Sequence, residues 1–269
     1  MKNRPIPYFS MEGTVFEVDI ENQRLIERAN PANTISFVWD MTDKDSYYTF
    51  TYDLDKKNVY DKSTGFYESE DWTQVRVPKL IELDPEGMAE KYGFTVTELQ
   101  GKNDFEVIVN QRLLTERQNG VLPQIRIMDE RFHIVLREHE LWPAGHWGPN
   151  ISLADLTISD DGSCYEGYYH PALKKVVKID PKLIEFPEGI VKIKIPNEIG
   201  LDPVGAARIY GMDERGLLRR YPIQKELKAN IIPLAETNIP AMIQRNREAL
   251  QQEHRENLLR AKPRIRPRF

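Results

Sequence analysis

The sequence predicts an α+β, mostly β protein: a tandem duplication of a module of about 117 residues, each with antiparallel strands plus one short helix, followed by a C-terminal helix and a basic tail. Three observations predict it. First, the sixteen residues from Pro78 to Gly93 align without a gap on Pro196 to Gly211, and nine of the sixteen pairs are identical at a fixed offset of 118. Second, apolar and polar residues alternate with period two in matching places of both copies, the pattern of half-buried strands. Third, Asp-Pro and Tyr-Gly bracket a short stretch in each copy, the punctuation of a helix start and stop.

Each module opens on a proline, Pro7 and Pro123, with Phe16 on Phe132, Leu25 on Leu141 and Ile35-Ser36 on Ile151-Ser152 at an offset of 116. Thr14 to Glu21 alternates apolar and acidic residues, and Arg131 to Arg137 keeps Phe132, Ile134 and Leu136 on the matching face. Tyr47 to Tyr52 and Lys57 to Tyr60 flank Asp53-Leu54-Asp55-Lys56, the composition of a hairpin, with Tyr165 to Tyr169 and Lys175 to Ile179 as counterparts. Lys56-Lys57-Asn58-Val59 matches Lys174-Lys175-Val176-Val177 at 118, so two extra residues are expected in the second copy, most simply in Ser159 to Ser163. Gln74 to Val77 and Lys192 to Ile195 read as strands ending at the shared proline.

Asp84-Pro85 and Asp202-Pro203 then start a helix of about two turns that Gly93 and Gly211 end. Gly87 and Gly205 inside that helix cost about 1 kcal/mol each against Ala, and close packing of the helix on its sheet is the expected compensation. An anion at the helix start is disfavoured because Asp84 and Asp202 would repel it. Phe105 to Val109, and Leu227 to Ile232, are expected to add a final strand.

The modules are thus residues 5–121 and 122–238. Ile239-Pro240 repeats the module opening of Ile6-Pro7 and Leu122-Pro123 and is read as the start of a third copy, whose pattern changes at once. Residues 239–261 form an amphipathic helix with a weak stripe of Met242, Ile243, Leu250, Leu258 and Leu259. Residues 262–269, with two prolines and four basic residues, are expected to be a flexible tail. From Gln244 onward eight Lys and Arg stand against three Glu, so this segment carries +5 of a chain whose net charge is −5.

Composition bounds the function. The chain has 269 residues, 40% hydrophobic and 29% charged, with a mean hydropathy of −0.56. No apolar run is long enough to cross a bilayer, and the N-terminus leads into no apolar signal core, so a cytoplasmic protein without membrane contact is expected. A single cysteine, Cys164, excludes an internal disulfide framework. Gly101-Lys102 lacks the rest of a phosphate-binding loop, no Gly-x-Ser-x-Gly turn exists, and neither Asp53-Leu54-Asp55 nor Asp160-Asp161-Gly162 has calcium-loop spacing.

Four of the five histidines, His133, His139, His146 and His170, lie in the second module. His133 and His139 share a face only if one strand carries both, and no pair has ligand spacing on a turn or helix, so no metal and no cofactor are expected. Trp142-Pro143-Ala144-Gly145-His146-Trp147-Gly148-Pro149 reads as an aromatic loop, and Trp142, His146, Trp147 and His170 are the candidates for binding a ligand or partner. Arg245, Arg247, Arg255, Arg260, Lys262, Arg264, Arg266 and Arg268 are the candidates for contacting a partner or nucleic acid.

No catalytic residue is assigned. The leading expectation is a non-enzymatic interaction, adaptor or structural protein whose C-terminal helix and tail dock on a protein partner. One alternative is nucleic-acid association through the basic C-terminal segment, against which stands the −10 of the remaining chain. The other is a small-ligand binder or enzyme with a site near the His/Trp loop.

Overall fold

A computed structural model describes residues 4–60, 71–145 and 148–261, with side chains as far as 257. The chain divides into two compact units, residues 1–114 with 215–223 and residues 115–214 with 224–269. The described residues form a mixed α+β fold of eighteen strands and eight α-helices.

In unit 1, β1 (Tyr8–Met11), β2 (Thr14–Asp19), β3 (Arg24–Glu27) and β4 (Thr34–Ser36) make an antiparallel meander. The predicted alternation of β2 is its burial pattern, with Phe16 and Val18 inside. A second sheet is centred on β6 (Tyr48–Asp53), which pairs with β5 (Thr42–Asp43) and with β7 (Asn58–Val59), and along its whole length with β8 (Trp72–Val77). Four helices follow: α1 (Leu80–Leu83), α2 (Pro85–Tyr92), α3 (Asp104–Ile108) and α4 (Gln111–Gln118), the last leading into unit 2.

Unit 2 begins with β9 (Gln124–Ile127), β10 (Glu130–Val135), β11 (Glu140–Pro143) and β12 (Ile151–Ser152), again an antiparallel meander. Its second sheet is centred on β14 (Cys164–His170), flanked by β13 (Thr157–Ile158), β15 (Lys175–Val177) and β16 (Val191–Pro196). After α5 (Glu198–Leu201), α6 (Pro203–Tyr210) and α7 (Glu214–Arg220), β17 (Leu227–Lys228) adds in parallel to β9 and β18 (Asn230–Ile232) adds to β16. The last element is α8 (Ile239–Ala261). The core of unit 2 joins both sheets through Phe132, Ile134, Leu141, Tyr165, Tyr169 and Ile195, with Leu201 and Ala206 from the helices.

Backbone details recur between the units. The amide of Val18 donates to Pro7 O and that of Ile134 to Pro123 O, both at 2.9 Å. Non-glycine residues with left-handed φ pair as Glu12 with Met128, Gln23 with His139 and Lys57 with Lys174. In the central ladders Tyr48 faces Val77 as Tyr165 faces Ile195, and Tyr52 faces Thr73 as Tyr169 faces Val191.

The helix punctuation holds. Asp84 accepts the Gly87 amide at 2.9 Å, Pro85 is the first helical residue, and Gly93 closes α2 at φ 74°. Asp202 accepts the Gly205 amide at 2.9 Å, and Gly211 closes α6 at φ 64°. Both aspartates are buried, and each is held by an arginine of its own unit. Arg4 reaches both oxygens of Asp84, at 2.5 and 2.6 Å, and Arg117 reaches both oxygens of Asp202, at 2.7 and 3.0 Å. The charge-assisted fork offsets the cost of burying the carboxylate.

Several expectations are corrected. Each unit holds more than one short helix, and the fold is mixed rather than mostly β. Residues 105–108 of the expected strand are helical, within α3: Asn103 accepts the Glu106 amide while Glu106 accepts the Asn103 amide, a capping box that overrides the β-branched residues. The expected final strand at 227–232 does form, as β17 and β18.

Ile239-Pro240 opens α8, not a third sheet, because Ile239 is buried against Leu234 and Ile243. The hairpin register places Lys57 opposite Lys174 in role, an offset of 117 rather than 118. The turn from β13 to β14 (159–164) is nevertheless two residues longer than that from β5 to β6 (44–47), as expected for Ser159 to Ser163; unit 2 has one residue fewer before β13 and one more between β15 and β16. His133 and His139 do not share a strand, since β10 ends at Val135 and a 3-10 turn over Leu136–Glu138 puts His139 at φ 53°.

The helix glycines have a different cause from the expected packing on a sheet. A Cβ on Gly87 would stand 2.2 Å from Asp84 Oδ2 and 2.3 Å from an Arg4 guanidinium nitrogen, and a Cβ on Gly205 would stand 2.2 Å from Asp202 Oδ2. Relieving that overlap means opening the cap. Gly87→Ala and Gly205→Ala, which in an ordinary helix would add about 1 kcal/mol of stability, are therefore expected to lose about 1–3 kcal/mol each. Urea unfolding of each variant measures this, and a rise in stability would refute the account.

Candidate functional site

The first turns of α8 are fastened to unit 2. Ile239 and Ile243 are buried with Leu234, and Tyr168, Ile179, Leu183, Ile190 and Met242 pack around them. Asn246 Nδ2 donates to the carbonyls of Pro181 and Leu183, both at 2.8 Å, and Arg247 Nε donates to Ile184 O at 2.6 Å. Beyond that point every described residue from Glu248 to Asn257 is exposed.

Leu250, which continues the buried stripe of Ile239 and Ile243, is 56% exposed. At 1.5 Å per residue, the stretch from Glu248 to Ala261 is about 21 Å of helix. Arg245 and Arg255 are exposed, Arg247 is engaged with Ile184, and Arg260 lies within α8 with its side chain outside the described residues. Lys262, Arg264, Arg266 and Arg268 also lie outside them.

The predicted His/Trp loop is only partly loop. Trp142 and Pro143 belong to β11, where Trp142 is directly opposite His133. The Trp142 indole donates to Glu140 Oε2 at 2.7 Å, and Asn150 Nδ2 donates to the same oxygen at 2.9 Å. The chain at Gly148 returns against Pro143 and Lys174. His146 and Trp147 lie outside the described residues. His170 stands on β14, in the other sheet of the unit, with a buried Nδ1 that has no hydrogen-bond partner among the described residues. Trp142 and His170 thus occupy different sheets.

Unit 1 contains a buried charged cluster that sequence reasoning missed. Asp104, fully buried, accepts the Tyr48 hydroxyl and the amides of Leu80 and Ile81, the latter two at 2.8 and 3.0 Å. Two cations approach the Tyr48 ring, with Lys79 Nζ 4.3 Å and the Arg219 guanidinium 4.7 Å from its centroid. Both cations pair with Asp43, Arg219 at 3.1 Å, and Arg219 also donates to Phe37 O at 3.2 Å.

Two acids balance two bases in a largely buried cluster, which fastens segment 215–223 into unit 1. Nothing local in sequence marks Arg219, because its partners lie at positions 37 to 48. Trp39 carries no local signal either: it is 60% exposed, with Arg220 4.7 Å over its ring and Tyr221 edge-on at 6.5 Å.

Among the described residues, no group of three or more His, Cys, Asp and Glu is placed to hold a metal ion, and no helix is long and apolar enough to cross a membrane. Comparison with protein-family models, curated proteins and solved structures finds no match to this chain. Only the chain's own geometry bears on its function.

Arg219→Ala removes a buried cation from beside Asp43 and Tyr48 and is expected to lower stability by about 3 kcal/mol, read by urea unfolding. Alkaline pH tests the same core. Burial, then the Asp104 charge, raises the Tyr48 hydroxyl; burial, then Asp104 and Glu21, pushes Tyr92 up to about 12; and burial, then Glu130, pushes Tyr169 up to about 12. These folded values lie above the unfolded value near 10, so the stability they contribute is complete below about pH 10 and is lost as pH rises further. In a 295 nm titration, a subset of the twelve tyrosines should ionise only as near-UV circular dichroism collapses. Smooth ionisation of all of them in the folded protein would contradict the assignment.

Proposed function

We propose that this chain is a non-enzymatic interaction protein that presents the outer half of α8 to a protein partner. The observation that carries the reading is the change along one helix: Ile239 and Ile243 are buried, whereas Leu250, on the same stripe, is exposed with the whole described stretch from Glu248 onward. A helical stretch of this length without tertiary packing is marginal in water, and an exposed leucine on it gains by burial in an apolar groove.

We further propose that the two modules arose by tandem duplication and serve as a scaffold for this helix. Support comes from the nine identities in sixteen residues, the equal ladder registers, the recurring left-handed residues and the twin Asp-Arg caps. A cytoplasmic setting belongs to the same reading, motivated by the single cysteine.

The test uses the full chain. Hydrogen exchange at residues 248–261 should be fast in the free protein and slowed at least tenfold in a complex purified from its native source. Leu250→Asp should remove that partner while leaving unfolding unchanged. Retention of the same partner by Leu250→Asp and by a chain ending at residue 247 would overturn the proposal. If the retained material is instead nucleic acid, released by moderate salt, the protein-partner reading fails.

A further inference from the structure

Each unit has a groove beside its capped helix, and the two are charged oppositely. In unit 1 the groove, of about 600 Å³, is lined by Glu17, Asp19, Glu21 and Glu90 as well as by Arg4 and Lys91. Arg4 is spent on Asp84, and the Lys91 ammonium on the carbonyls of Ile20 and Glu21 at 2.9 and 2.7 Å. In unit 2 the groove, of about 390 Å³, is lined by Arg117, Arg137 and Arg208 and, among the described residues, by no acidic side chain. At the positions where unit 1 carries Glu21 and Glu90, unit 2 carries Arg137 and Arg208.

We propose that the unit 2 groove binds a small molecule bearing an oxyanion, a phosphate or carboxylate group held by Arg137 and Arg208. Arg117 is not available for this, since both oxygens of Asp202 hold it, and that bond in turn prevents Asp202 from neutralising the other two. Among the described residues Arg137 has neither hydrogen bond nor ion pair. Arg208 has only Glu214, at 4.0 Å, and Glu214 already accepts Gln118 Nε2 at 2.9 Å.

The surroundings suit the assignment. Leu122, Leu136 and Ile209 line the same groove, and Arg137 and Arg208 are exposed in it, open to a ligand from solvent. Guanidinium forks match the planar or tetrahedral oxygens of carboxylate and phosphate. The volume suits a small ligand rather than a polymer. The site lies along the face of α6, from Gly205 to Ile209, and not at its capped start, where Asp202 would repel an anion.

The experiment titrates the full chain with inorganic phosphate and, separately, with citrate, following arginine Nε–Hε resonances and heat. At least one probe should saturate below about 10 mM and move the signals of Arg137 and Arg208. Phosphate alone would assign a phosphate-bearing ligand and citrate alone a carboxylate-bearing one. Arg137→Glu with Arg208→Glu, which installs the unit 1 side chains, should weaken binding at least tenfold. The neutral pair Arg137→Gln with Arg208→Gln should do the same if the acidic variant fails to fold. Arg131→Gln, outside the groove, should bind as the parent does. Saturation by neither probe, or equal binding by the folded double variant, would overturn the proposal.

Discussion

A buried aspartate at the start of a two-turn helix must hold a backbone amide and a guanidinium at once, and both units are organised around that demand. Asp84 and Asp202 are too deep to remain charged without an intimate partner, and Arg4 and Arg117 supply it through both oxygens. The carboxylate then occupies the space a side chain at the third helical position would need, which leaves glycine as the residue that fits at 87 and 205. Cap, ion pair and glycine form one constraint. It sets where the helix begins, and it makes the wall of each groove beside the helix.

Around this shared frame the units diverge in ways that have physical consequences. At 21 and 90 unit 1 keeps acids, and at 137 and 208 unit 2 has arginines, so equivalent grooves differ in the sign of their charge. The segment after the capped helix diverges further. In unit 1 it continues through Asp104, whose carboxylate receives Tyr48 and two backbone amides. The chain after α6 instead sends 215–223, with Arg219, into unit 1. Tyr48 is held by an acid at its hydroxyl and by two cations against its ring, so unit 1 is incomplete without residues placed more than a hundred positions later.

The sequence was legible wherever a residue type acts on its own neighbourhood. Asp-Pro and Tyr-Gly marked the helix ends because capping and left-handed glycine are local effects, and alternation marked β2 and β10 because a pleated strand has period two. It was misleading at 105–109, where Val107 and Ile108 suggested a strand while Asn103 and Glu106 were already a capping box. It was silent on the Tyr48 cluster, on Trp39 with Tyr221, and on the grooves. Of the predicted site residues, Arg245 and Arg255 are exposed on α8 and Arg247 is bonded to Ile184, whereas Trp142 and His170 fall on different sheets.

Sequence alone determined the repeated frame: strand alternation, helix caps, the terminal helix and its basic composition, all of which follow from interactions within a few residues. Tertiary structure decided why the helix glycines are needed, which arginine serves which aspartate, and which cation enters the Tyr48 cluster. Those outcomes depend on charges brought together from 80 to 180 positions apart, where burial, not proximity in the chain, selects the partner.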